Sequence, residues 1–170
     1  MDPFLLILRW VHILGGSLWV GFAVFVTFML APAIDDAGPG SAGIMPALGR
    51  RGMMTVLPLL ALGTVLSGIG LFWKVAGGQF GAYLRTPTGL VLCLSGIAAI
   101  LAYLVGILVT RPAMMAAAAI LQSLADGPDE ERAQRFATAN QLRARGALAG
   151  KYGSGLLLLA ATGMAVARYM

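Results

Sequence analysis

Four stretches of the chain are almost free of polar positions: Phe4 to Ala31, Met53 to Trp73, Thr88 to Thr110 and Ala147 to Arg168. Roughly 20 residues at about 1.5 Å each cross the hydrocarbon of a bilayer, so each stretch predicts a spanning helix. The first is expected to close near Pro32, where AIDDAGPGSAGIMPALGRRG begins. Its Gly, Pro, Ser and Asp content marks a loop that ends on Arg50-Arg51. Pro58 falls early in the second stretch, where a missing N–H costs little. Trp73 and Lys74 close that stretch as an interfacial pair, an aromatic belt residue beside a snorkelling cation. A short Gly-rich connection with Tyr83 and Arg85 leads into the third.

Beyond Arg111-Pro112 the pattern changes. Ala113 to Ala125 is Ala-rich and helical, DGPDEE reads as a turn, and RAQRFATANQLRARG is amphipathic and basic. Pro128 followed by Asp129, Glu130 and Glu131 suits a helix start. The pattern predicts an all-α membrane domain over 1–170, a four-helix bundle. Helices three and four extend past the bilayer as a cytoplasmic helical hairpin over about 111–146. Small residues at Ala98, Ala102 and Gly106, and at Gly146/Gly150 and Gly163/Ala167, predict close helix contacts.

Composition agrees with the pattern: 59% hydrophobic residues, 11% charged and a mean hydropathy of +0.85, far from a soluble average of about 25% charged. In such a chain the net charge of +5 reads as arginines meeting anionic lipid, not as a nucleic-acid surface. Arg50, Arg51, Arg111, Arg132, Arg135, Arg143, Arg145 and Lys151 fall on one side. Arg9, Lys74, Arg85 and Arg168 fall on the other. The positive-inside rule then predicts a bacterial-type inner (cytoplasmic) membrane protein with both termini outside. The first stretch reads as a retained helix, because it opens on Asp2 and its run is too long for a cleaved signal. A single cysteine, Cys93, excludes an intrachain disulfide.

Chemistry concentrates in the first stretch, which holds Arg9 and the only histidine, His12. His12, Gly15/Gly16 and Trp19 recur at i, i+3/i+4 and i+7, on one helical face with Arg9 a turn away. The face offers a nitrogen ligand, a gap without side chains and a flat aromatic. It fits either a flat cofactor or a closely packed helix. His12 is a candidate metal ligand, to haem iron or copper, or a proton carrier. Otherwise it is a neutral ring bonded to a neighbouring helix backbone. Arg9 suits a carboxylate or phosphate, or snorkels to the interface. The methionine pairs Met53-Met54 and Met114-Met115 are soft groups that suit Cu(I), or gap-filling core. No carboxylate lies in a span, which argues against a carboxylate proton relay. The chain lacks a phosphate loop, a nucleophile elbow and H-E-x-x-H.

The run H-I-L-G-G-S-L-W-V-G, followed by L-A-P-A, resembles the first helix of the copper resistance protein D group and the related J-type protoporphyrinogen oxidases. The matching positions are His12, Trp19, Gly21 and Pro32. The resemblance implies haem b bound through His12. The oxidases also carry a lysine before a later helix, where this chain reads Y-L-R-T-P-T-G. Three functions stay open: a haem b redox protein with His12 as ligand, a copper-handling permease, and a non-catalytic subunit of a larger membrane complex. A homo-oligomer is a further expectation, since one histidine supplies one nitrogen per iron.

Overall fold

A computed structural model describes residues 2–41, 43–123 and 129–170, and these are helical apart from short turns, without strands. Helix α1 (Pro3–Phe25) starts on a cap: Asp2 accepts from the Phe4 N–H at 3.0 Å, and Pro3 occupies the first turn, where its missing N–H costs nothing. A π-helical turn, Val26–Leu30, continues it into α2 (Ala31–Asp36). Helix α3 (Ile44–Arg50) crosses the connection to α4 (Met53–Ala76). Gly52 before α4 and Gly77 after it take left-handed φ values of 87° and 56°, which a side chain would resist. Short α5 (Phe80–Tyr83) precedes α6 (Pro87–Val105), which repeats the device of α1. Thr86 accepts from the Gly89 N–H at 3.0 Å, with Pro87 next to it. A second π turn, Gly106–Thr110, leads into α7 (Arg111–Gln122), and α8 (Asp129–Val166) returns as one helix of 38 residues.

Three helices are long and apolar enough to cross a membrane among the described residues: Pro3–Asp36, Met53–Ala76 and Pro87–Gln122. The first therefore does not close at Pro32. Proline cannot pair with the carbonyl four residues back, and its ring crowds that carbonyl. The π turn resolves the conflict by pairing one residue farther: the Ala31 N–H bonds Val26 O, and the Arg111 N–H bonds Gly106 O. Pro32 and Pro112 each stand two positions after the end of their π turn, and both helices run through their prolines. The expected turn at Asp126–Pro128, with Pro128 opening a helix, lies outside the described residues.

Contacts set neighbouring helices antiparallel. Leu8 lies over Gly70 and Gly15 over Leu60 and Thr64 in the α1–α4 pair. Ser95 meets Gly163, and Met114 meets Gly146, where α6 and α7 run against α8. Each of α1, α4, α6 and α8 supplies one residue to the core: Trp19, Ala61, Ala102 and Leu157. Trp19 meets Tyr103 edge-on, with centroids 6.4 Å apart. Buried hydroxyls turn back on helix carbonyls, as apolar surroundings require: Thr64 to Leu60 O at 2.9 Å, Ser95 to Val91 O at 2.7 Å. Near the first π turn, Ser154 Oγ of α8 lies 3.2 Å from Ala23 O and 3.1 Å from Thr27 Oγ1. Arg143 of α8 pairs with Asp35 of α2 at 3.0 Å. Of the small-residue contacts expected, Ala102 and Ala167 are buried. A Cβ on Gly106, by contrast, would meet nothing within 4 Å.

The α6–α8 contact yields a stability prediction. A Cβ on Gly163 would overlap Ser95 Oγ, whereas one on Gly155 would meet nothing within 4 Å. Gly163→Ala is expected to destabilise the protein by roughly 1–3 kcal/mol through overpacking. Gly155→Ala should be neutral or stabilising by up to about 1 kcal/mol. Thermal unfolding of both variants in one detergent checks the pair.

Candidate functional site around His12

Helix α1 sets His12 against α4, where its Nδ1 lies 2.9 Å from the carbonyl oxygen of Thr64. A carbonyl can only accept, so Nδ1 carries the proton and donates it. The same carbonyl also accepts from Ser67 Oγ at 3.0 Å. The ring approaches the α4 backbone this closely because Gly68 lacks a side chain. A Cβ there would sit 2.7 Å from His12 Cε1 and 3.0 Å from Nδ1. One turn along α1, Gly15 makes room for Thr64, whose Oγ1 would lie 2.6 Å from a Cβ at Gly15. Gly16 borders the methyl of the same threonine.

The seam therefore consumes three of the five residues that the sequence grouped. His12, Gly15 and Gly16 come together, and the gap between them is filled by α4. Trp19 lies about 10 Å farther along the helix, in the core beside Tyr103. Arg9 is exposed and makes no ion pair among the described residues. Sequence reading missed the partner face on α4, L-G-T-V-L-S-G-I-G from Leu62 to Gly70. Its signal was present: Ala61, Thr64 and Ser67/Gly68 recur every three or four residues, a stripe of small side chains on one face.

The far nitrogen of the ring behaves differently. His12 Nε2 makes no hydrogen bond, yet no buried side-chain nitrogen or oxygen among the described residues lacks a partner. Nε2 thus reaches accessible surface at the edge of the α1–α4 seam. With the proton on Nδ1, a neutral ring presents a lone pair there, which is the form a metal ligand takes.

A half-open cavity of about 270 Å³ lies elsewhere in the protein, between α1, α4, α6 and α8 and both π turns. Trp19 and Tyr103 form part of its wall, and Met45, Met53, Met54 and Met114 form another. Both methionine pairs of the sequence thus contribute, although Met115 itself is exposed. His12 does not border this cavity, so the soft sulfurs and the imidazole belong to different places. Among the described residues no three His, Cys, Asp or Glu side chains cluster as a metal site.

The hydrogen bond to Thr64 separates two His12 variants. His12→Ala should lower stability by roughly 0.5–1.5 kcal/mol, the net worth of one such bond between helices. His12→Asn keeps an N–H to donate and should recover part of that loss. Thermal unfolding in detergent reads both, and equal losses would show that the bond contributes nothing. No family model matches the chain, and neither the curated proteins nor the solved structures compared with it contain a match.

Proposed function

We propose that this chain is an inner-membrane protein that crosses the bilayer four times, with both termini outside, and that it binds haem b through His12. Helix lengths support the layout. Helix α8, with 38 residues, is about 57 Å long, against roughly 30 Å of hydrocarbon. Its second half suits a fourth span. Its first half, with Arg132, Arg135, Arg143 and Arg145, suits a cytoplasmic hairpin with α7.

The observation that carries the haem reading is the orientation of the ring. Metal-binding histidines almost always donate their other N–H to a carbonyl or carboxylate, and Nδ1 donates to Thr64 O here. The donor chemistry fits, while the expected glycine cradle does not, because Thr64 fills it. The group would be held from outside the seam at Nε2, with Arg9 on the same face for a propionate. Bound haem b would supply one-electron redox chemistry; the chain itself would supply the His12 imidazole nitrogen, with its ring oriented by Thr64 O.

A second reading, a non-catalytic subunit of a larger membrane complex, draws on the same contact: His12 is already employed in holding α1 to α4. Absorption spectra of the detergent-purified protein, oxidised and reduced, decide between the two when taken beside His12→Asn. The haem reading expects a Soret band and a reduced α-band that disappear in a folded His12→Asn variant. A colourless, folded wild type after haem is supplied during expression would overturn it and leave the packing role.

A further inference from the structure

The cavity between the π turns stands apart from His12 and asks for its own occupant. Among the described residues its charged lining is cationic: Arg111 at the start of α7 and Lys151 on α8, both exposed and without an ion pair. The rest of the lining is largely apolar but includes donors. Trp19 is only 9% exposed and its indole N–H has no hydrogen-bond partner among the described residues. No buried nitrogen or oxygen among the described residues lacks a partner, so this N–H touches accessible space, and Trp19 is part of the cavity wall. The Tyr103 hydroxyl, on the same wall, also bonds no protein group. About 12 Å of helix separates Tyr103 from Arg111. The volume of about 270 Å³ lies just below the roughly 300–1,000 Å³ of ordinary small-molecule pockets.

We infer that this cavity binds an amphipathic anion: a medium-length apolar chain lying between the helices, with an acidic oxygen head at Arg111 and Lys151. Cations at one end pair with the head, and no carboxylate among the described lining residues opposes it. The chain replaces empty space against Trp19 and the methionines, whose flexible thioethers adapt to an irregular ligand. A free fatty acid and an anionic phospholipid share this chemistry. The proposal is independent of haem, since His12 does not line the cavity.

The test uses the full chain with Trp10→Phe and Trp73→Phe, both exposed positions, which leaves Trp19 as the sole tryptophan. The protein is placed in phosphatidylcholine nanodiscs and titrated with ω-bromodecanoic acid, whose bromine quenches indole on contact. Saturable quenching is expected, with affinity weakened at least about tenfold by Arg111→Gln with Lys151→Gln, as loss of charged hydrogen bonds implies. Ala61→Phe, which fills the cavity from α4, should abolish it. If that variant does not fold, the charge variants decide, because their side chains are exposed. The neutral ω-bromodecanol should quench only in proportion to its bilayer concentration. Chain-brominated phosphatidylglycerol distinguishes the sources: saturable, charge-dependent quenching identifies a lipid headgroup, and its absence beside a positive acid result identifies the free acid. Equal, non-saturating quenching by acid and alcohol, or binding of the acid unchanged in the charge variants, would overturn the proposal.

Discussion

Lipid tails are as apolar as leucine, so once helices lie in a bilayer, oil-like side chains no longer select one helix face over another. What remains is close backbone approach and the need to satisfy every polar group internally. Both operate at the α1–α4 seam. Gly15 and Gly68 let the backbones approach, and the polar groups this exposes are matched locally, His12 to Thr64 O and Thr64 to Leu60 O. The α6–α8 seam uses the same means, with Ser95 facing Gly163. Large apolar side chains such as Ile7, Ile13 and Leu159 are left on the outside.

The two seams meet where the helices are irregular. Pro32 and Pro112 demand a break in regular pairing, and the π turns before them absorb it without ending the helices. Ser154 reaches the Ala23 carbonyl beside the first of these turns, which ties α8 to α1. Irregular backbone costs space, and between the turns the core does not close. Residues of both π turns, Val26 and Thr27 from the first and Gly106, Ile107 and Thr110 from the second, line the cavity. Trp19, at its wall, is the residue where the seam of α1 gives way to the open centre.

Much of this fold was legible in the sequence, because apolar runs of spanning length are a strong signal. The runs at Phe4, Met53 and Thr88 each fall inside a helix long and apolar enough to cross a membrane. Helix ends were less legible. Pro32 reads as a stop, and only a π turn, which has no sequence signature of its own, carries the helix past it to Asp36. The site was legible in part. His12 stood out as an ionisable group in an apolar run, and its bonding to a neighbouring backbone was one of the readings kept. Its partner was hidden, because Thr64 and Gly68 are ordinary residues whose meaning lies in their spacing opposite Gly15. The cavity was less visible still. Its wall gathers Trp19, Met54, Tyr103 and Lys151 from four helices, and pairing across such distances cannot be read from periodicity along one helix.

Both the α1–α4 seam and the proposed ligand role of His12 depend on which ring nitrogen holds the proton. As the only histidine in the chain, it gives one pair of imidazole signals in the ¹⁵N NMR spectrum of histidine-labelled protein in detergent micelles. A protonated Nδ1 and, in the neutral ring, a bare Nε2 are expected, with the Nδ1 signal perturbed when Gly68→Ala pushes the ring off α4. The opposite tautomer, or a ring exchanging freely between both, would contradict that assignment.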